Sequence, residues 1–356
     1  MEVRHLISIE DVTAKWFMEL YSLCRDIISS PADFSDSCKG KVMASLFFEP
    51  STRTNFSFQS AMMRLGGQVF GFADPKATSK AKGESLADTI RMCAGYSDTI
   101  VMRSPTEGAS LAASLYSDVP VINAGDGGHM HPTQTLTDLT TICKKHGKIQ
   151  DLNVGICGDL KHGRTVHSLV VALSKFPNIH FTLISPRDLA IPDYMLAHLK
   201  SCGQKYVEVT NMEAAMPSLD VLYMTRVQRE RFADPLEYER LKSVYILNSS
   251  KLSRAKSDML VMHPLPRLEE ISTDVDDDPR AVYFEQARYG MFIRMALLLK
   301  TTHMDRHRPE APVSNSAQRC TNPSCVINSE SNIPLLIKNS PQGKSCAYCD
   351  KKVLIK

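Results

Sequence analysis

Between residues 41 and 300, short apolar runs rich in strand-forming residues alternate with longer stretches whose apolar residues recur every three or four positions. The first series reads as strand 41–48, helix 51–65, strand 68–72, helix 84–95, strand 99–102, helix 108–116, strand 119–122 and helix 132–146. The second begins at Leu152 and reads as strand 152–157, helix 163–175, strand 180–184, helix 192–201, and strands 206–209, 220–224 and 259–262. A long helix near 281–300 closes it. Strands alternating with helices predict a parallel sheet covered on both faces, so two series predict two doubly wound α/β domains with a cleft between them. A length of 356 residues accommodates both and leaves room for a small further module.

Ahead of the first strand, Ile9, Val12, Trp16, Leu20, Leu23 and Ile27 predict an amphipathic helix with Ser8 as its cap. Residues 305–318, with Pro309 and Pro312, read as a linker. The net charge of +3 gives no argument for nucleic acid, because its excess sits in the tail: residues 305–356 hold eight Lys/Arg against four Asp/Glu. No run approaches the roughly 18 apolar residues that span a bilayer, and Glu2 and Arg4 are unlike a signal peptide. A cytoplasmic protein, bound to neither membrane nor nucleic acid, is expected.

The chemistry-bearing residues gather where predicted strands end. Ser45-Leu-Phe-Phe-Glu-Pro-Ser-Thr-Arg-Thr-Asn-Phe56 is a strand-to-helix turn carrying Ser51, Thr52, Arg53 and Thr54. The first N–H groups of a helix lack intrahelical partners and lie at a positive dipole end, which favours phosphate, and Arg53 adds a planar fork. Glu49 is expected to hold that guanidinium in place. Ser79-Lys-Ala-Lys82-Gly-Glu84 is a polar loop that is either solvated or a lid over an anionic ligand. Arg103 ends a strand and serves a ligand or a structural ion pair. Asn123 to Gln134 is a glycine-rich run containing His129 and His131 that enters a helix at Pro132. Arg164 and Arg226 follow two further strands, with Gln228 close behind, and two guanidinium forks suit a dicarboxylate. His263-Pro-Leu-Pro-Arg267 is a rigid turn with exposed carbonyls.

Phe48-Glu-Pro-Ser-Thr-Arg-Thr54, Ser79-x-x-Lys-Gly-Glu84, His131-Pro-Thr-Gln134 and His263-Pro-Leu-Pro266 together resemble the transcarbamoylase family, in order and over nearly all of residues 1–304. Asn55 after Ser-Thr-Arg-Thr, and Pro264 where the ornithine branch has cysteine, place the resemblance in the aspartate branch. It implies transfer of a carbamoyl group from carbamoyl phosphate to L-aspartate, giving N-carbamoyl-L-aspartate and phosphate in pyrimidine synthesis. Ser51, Thr52, Arg53, Thr54, Ser79 and Lys82 would then hold the phosphate. Thr54, Arg103 and His131 would polarise the carbonyl, Gln134 would bind the carbamoyl amide, and the Leu265 and Pro266 carbonyls would accept from the substrates' amino groups. Lys82, Arg164, Arg226 and Gln228 would hold aspartate. The catalytic set so implied is Arg53, Thr54, Lys82, Arg103 and His131, with no catalytic cofactor and no role for His131 as general base. The resemblance also implies a homotrimer whose active sites are shared between subunits, Ser79 and Lys82 acting in the neighbour's site, and it allows two trimers to pair.

In the tail, Cys320-x4-Cys325 and Cys346-x2-Cys349 are two close pairs, the spacing of a structural Zn2+ held by four thiolates. A module this small lacks the core to fold unaided, so metal is expected to carry much of its stability. It resembles the zinc domain of the bacterial aspartate transcarbamoylase regulatory chain, without that chain's nucleotide-binding domain. The domain organisation expected is 1–132 for carbamoyl phosphate, completed by a helix at about 289–304, then 133–288 for aspartate, linker 305–318, and zinc module 319–356.

Overall fold

The structure is a computed structural model that describes residues 3–74, 78–227, 234–241, 244–307, 309–310, 318–340 and 343–355. Its contacts divide the chain into two compact units. One comprises Met1–Val12, Trp16–Thr133 and Met291–Lys356, and the other Thr13–Lys15 and Gln134–Gly290.

The chain opens with helix α1 (Ala14–Ser29), which buries Trp16, Phe17, Leu20, Cys24 and Ile27 at helical spacing. This helix starts five residues later than Ser8 as its cap predicts. Ser8 Oγ instead accepts from the Glu10 N–H at 3.0 Å, a local turn that competes with helix, while Ile9 and Val12 are buried outside it. There follow β1 (Val42–Phe47), α2 (Thr52–Arg64), β2 (Gln68–Phe72), α3 (Leu86–Tyr96), β3 (Thr99–Ser104), α4 (Ala109–Ser114), β4 (Val121–Asp126) and α5 (Pro132–His146). The four strands form one parallel sheet in the order β2-β1-β3-β4. Strands β1, β3 and β4 are buried almost throughout, as a sheet covered on both sides requires, and the edge strand β2 is partly exposed.

The second unit carries β5 (Leu152–Cys157), α6 (Arg164–Leu173), β6 (Ile179–Ile184), α7 (Asp193–Ser201), β7 (Lys205–Val209), α8 (Met212–Ala215), β8 (Val221–Met224), α9 (Pro235–Leu241), α10 (Ser249–Leu252) and β9 (Leu260–Met262). Its sheet is parallel, in the order β7-β6-β5-β8-β9. The helical turns α8, α9 and α10 lack a legible sequence period because each is seven residues or fewer.

In both sheets the chain winds outward on one side and then returns to the other, so strand order reverses between β1 and β3 and between β5 and β8. Such reversal points open a crevice at the carboxyl ends of the strands, where α/β sheets bind ligands. The long helix α11 (Tyr283–Thr302) passes into the first unit at Met291, and Arg294 Nη1 donates to Ser57 Oγ at 2.8 Å.

The tail forms β10 (Gln318–Cys320), α12 (Val326–Ser329), β11 (Ile337–Ser340), β12 (Gly343–Cys346) and β13 (Val353–Ile355), paired antiparallel as β10-β13 and β11-β12. This module shares one apolar core with the first unit. Val326, Ile333, Leu335 and Tyr348 pack with Leu86, Ile90, Ala109, Ala112 and Ala113 of α3 and α4. Asp276 is taken by Arg267 and Asp278 by Arg280.

Candidate active site

In the first unit the motifs sit at the carboxyl ends of adjacent strands β1, β3 and β4. Ser51 is the N-cap of α2, yet its hydroxyl makes no capping bond, so the first-turn N–H groups have no side-chain acceptor there. Thr52 and Arg53 in that turn are exposed, and Thr54 is buried. Asn55 anchors the turn from below, accepting from Ser45 Oγ at 2.9 Å and Gln59 Nε2 at 2.8 Å.

Arg103 is the penultimate residue of β3, and its guanidinium pairs with Glu49 and donates to the Ala124 carbonyl at 3.3 Å. This corrects the expectation that Glu49 holds Arg53. The strand-end arginine projects alongside the Glu49 loop, whereas Arg53 lies in the exposed first turn and forms no ion pair among the described residues. Burial, and then the charge of Arg103, lower the Arg53 guanidinium from its ordinary value. Two like charges facing one region favour an anion between them. The choice left open for Arg103, ligand or ion pair, has a mixed answer. Glu49 claims part of the fork, but Nε is buried without an acceptor among the described residues.

Gly125 explains how His131 joins this group. A Cβ at that position would lie 2.9 Å from Arg103 Nη1 and 3.5 Å from His131 Cδ2, and its φ of +122° suits glycine alone. The absent side chain lets imidazole and guanidinium converge. His131 is buried, with Nδ1 3.4 Å from Thr133 Oγ1. Ser79 and Lys82 lie on an exposed 3-10 turn after β2 and make no hydrogen bond or ion pair with Ser51–Thr54.

In the second unit the motifs leave the ends of adjacent strands β5, β8 and β9. Arg164 is the first residue of α6, and Arg226 stands two residues beyond β8. Their loops are bound together where Thr225 donates N–H to the Cys157 carbonyl at 2.8 Å. Gln228 lies outside the described residues. After β9, His263 Nδ1 accepts from the Leu265 N–H at 2.8 Å and Nε2 faces Glu270 Oε1 at 2.8 Å. Leu265 adopts a left-handed φ of +53°, Leu265–Pro266 is cis, and Pro266 is exposed.

Sequence reading missed the buried network behind these residues. Asp138 accepts from Gln134 Nε2 at 2.8 Å, Gln286 Nε2 at 2.6 Å and Tyr223 Oη at 3.0 Å. Gln286 Oε1 in turn accepts from the His263 N–H at 3.0 Å. A continuous chain thus joins Gln134 to the Leu265 turn. Burial, then the Asp138 charge, push the Tyr223 phenol well above its ordinary value. The one legible signal was the four-residue spacing of Gln134 and Asp138 on a helix.

Cys320, Cys325, Cys346 and Cys349 are buried, with their Sγ atoms all within 4.8 Å of one another. Two of the separations are 3.5 Å (Cys320–Cys349) and 3.8 Å (Cys325–Cys346). Four sulfurs around a tetrahedral Zn2+ would stand about 3.8 Å apart, given Zn–S bonds of about 2.3 Å. The donor set therefore fits such an ion. Hydrogen bonding from Cys325, then from Cys346, holds Cys349 far below the ordinary thiol range, while hydrogen bonding to Cys346, then to Cys349, pushes Cys325 far above it.

His129 bridges two carboxylates. Its Nδ1 faces Asp126 at 3.1 Å, and its Nε2 faces Asp350, the residue after Cys349, at 2.8 Å. Burial alone would lower the imidazole, but the two carboxylates outweigh it and raise it to about 10.

Comparisons with known proteins match both halves of the chain. Residues 4–144 match the family model for the aspartate/ornithine carbamoyltransferase carbamoyl-P binding domain, and residues 150–301 match the Asp/Orn binding domain of the same family. The aspartate carbamoyltransferase catalytic subunit of Clostridium kluyveri is 56% identical over 297 residues, 83% of this chain and 97% of that protein. The Finegoldia magna subunit is 54% identical over 297 residues, with the same coverage. Among solved structures, the catalytic subunit of M. jannaschii aspartate transcarbamoylase superposes with a TM-score of 0.79 at 45% identity, covering 84% of this chain and 98% of that one. The Trypanosoma cruzi aspartate transcarbamoylase in complex with carbamoyl aspartate and phosphate gives 0.78 at 39% identity, covering 84% and 96%. The matched domains end at residue 301, ahead of the cysteine module.

Proposed function

The chain belongs to the aspartate/ornithine carbamoyltransferase family, and we propose from that premise how its residues divide the work of joining carbamoyl phosphate to L-aspartate. The observation that carries the reading is the convergence of Arg103 and His131 across Gly125, beside an uncapped helix start bearing Arg53. Helix N–H groups and Arg53 receive the phosphate, with Ser51, Thr52 and Thr54 as further donors. Arg103, His131 and Thr54 polarise the carbonyl oxygen, and Gln134, oriented by Asp138, fixes the carbamoyl amide. Arg164, Arg226 and Gln228 take the two carboxylates of aspartate, and the Leu265 and Pro266 carbonyls face the amino groups.

The neutral aspartate amine attacks the carbonyl carbon. The new C–N bond forms, the C–O bond to phosphate breaks, and the leaving phosphate accepts the amine's proton. Positioning and electrostatic stabilisation of the oxyanion supply the acceleration. Glu49 fits this scheme as the group that orients Arg103 while leaving Arg53 for the phosphate.

The active unit is a cytoplasmic homotrimer. Two observations support that reading: Phe56 and Met63 are exposed on α2 at 62% and 59%, and, among the described residues, Ser79 and Lys82 make no bond with their own chain's Ser51–Thr54. Cys320, Cys325, Cys346 and Cys349 hold a structural Zn2+, which cross-links the module. The reading is tested by giving the purified chain labelled carbamoyl phosphate with aspartate, ornithine or putrescine. Carbamoyl aspartate alone should form. Carbamoylation of ornithine at a comparable rate would overturn the assignment.

A further inference from the structure

The face of the first unit that meets the cysteine module leads directly into the loop carrying His131. Along this face Glu107 is bridged to the module by three contacts. Its N–H donates to the Ser324 carbonyl at 3.0 Å, its carbonyl accepts from Val326 N–H at 3.0 Å, and its carboxylate accepts from Asn322 Nδ2 at 2.6 Å. Gly108 lies so close that a Cβ would fall 2.3 Å from that of Tyr348. The Gly108 N–H then donates to Asp126 Oδ2 at 2.9 Å, and Asp126 Oδ1 accepts from the Met130 N–H at 2.9 Å. Asp126 thus pins both ends of the turn 126–130, immediately before His131.

His129 completes the connection, holding Asp126 on one nitrogen and Asp350 on the other. Asp350 is fixed by its place in the Cys346–Cys349 turn, where its N–H donates to the Cys346 carbonyl at 2.9 Å. A covalent and hydrogen-bonded line therefore runs Cys349, Asp350, His129, Asp126, and ends at the turn that presents His131 against Arg103. Three fixed points on a glycine-rich turn leave it little freedom, and removing one releases the rest.

We propose that His129 and Asp350 are positioning residues for the carbamoyl-phosphate site, so that the cysteine module holds the catalytic loop in register as well as stabilising the fold. The proposal rests on the reading of Arg103 and His131 as carbonyl-binding groups, and predicts that the module is part of the working active site although none of its residues reaches the substrate.

A double-mutant cycle with His129→Ala and Asp350→Gly in the full-length, metal-loaded chain tests this. Glycine is chosen because Asp350 has a φ of +61°. Three quantities are read: affinity for inorganic phosphate by calorimetry, the KM values for the two substrates, and hydrogen exchange of residues 126–131. Each single variant should weaken phosphate binding and raise the carbamoyl-phosphate KM by about tenfold, leave the aspartate KM in place, and speed exchange in the loop. The double variant should be no worse than either single one. Lys338→Ala, which removes the other cation on Asp350, should leave all three readouts in place. Additive effects, or unchanged loop exchange in His129→Ala, would overturn the proposal. His129 lies outside the module, so its variant decides the matter should Asp350→Gly lose metal. If the parent chain forms no carbamoyl aspartate, the functional reading fails, whereas the exchange cycle still reports on the tether.

Discussion

Glu49 pairs with Arg103 and leaves Arg53 without a carboxylate partner among the described residues. The two arginines of the first half-site are thereby given different freedoms. Arg103 is fixed in orientation, as its proposed place at the carbonyl oxygen requires, and Arg53 keeps a guanidinium fork for the phosphate it is proposed to bind.

Removing the fixing carboxylate should therefore affect chemistry more than binding. Glu49→Gln is expected to lower kcat by roughly one to two orders of magnitude, the scale of a misaligned oxyanion donor, with a smaller change in phosphate affinity. Steady-state kinetics alongside calorimetric phosphate titration separates the two. A variant that loses phosphate affinity and keeps kcat would contradict the division.

Arg53→Ala should do more damage, about 3 kcal/mol or more in kcat/KM, because both binding and departure of the phosphate draw on the same fork. Turnover close to that of the parent chain would remove Arg53 from the phosphate site.

Asp138 is buried and accepts three hydrogen bonds, from Gln134, Gln286 and Tyr223. Asp138→Ala strands three donors and is expected to cost about 3 kcal/mol or more of stability, together with much of the activity. Tyr223→Phe removes one donor while keeping the ring, so about 1 kcal/mol is expected. Chemical denaturation of both variants measures the ratio, and equal losses would argue against Asp138 as the hub.

Stripping metal from the four thiolates should unfold the module and uncover Ala109, Ala112 and Ala113, which now share its core. The expected result is a lower thermal midpoint and new binding of an apolar dye, both reversed by adding back Zn2+. A midpoint indifferent to a strong chelator, in a chain shown to have lost its metal, would refute a stabilising role.

In the second unit, Arg267 and Arg280 hold the Asp276 and Asp278 carboxylates below their ordinary value of 3.8. A carboxylate whose folded value lies below its unfolded one adds stability above the unfolded value and loses it as pH falls through the folded value. The contribution of these two carboxylates should therefore be flat from neutrality to about pH 5 and fall increasingly below about pH 4. Asp276→Asn is expected to make that fall shallower, which thermal melts across this range would reveal. An unchanged slope would show that Asp276 contributes nothing to it.

Much of this protein was legible without coordinates, for reasons that differ from part to part. The parallel sheets could be read because buried strands and amphipathic helices carry distinct periods, and helix α5 could be bounded because Pro132 starts it. The short helices α8, α9 and α10 left no period to read. Ser51–Thr54, Arg103 and His131 could be singled out because the proposed anion binding and carbonyl polarisation use few residue types at helix starts and strand ends. The paired cysteines announced a four-thiol cluster by spacing alone.

What the linear chain could not fix was which opposite charges meet and what lies behind the candidate site residues. Glu49 is four residues from Arg53 and 54 from Arg103, and sequence proximity pointed to the wrong one. Asp138 meets Gln286 across 148 positions, and His129 meets Asp350 across 221. Local propensity acts over a turn of helix or a strand, so elements and their end residues are written locally. Hydrogen bonds and ion pairs are settled only when sheets and loops pack, since their geometry depends on angstrom-scale approach that no local pattern encodes.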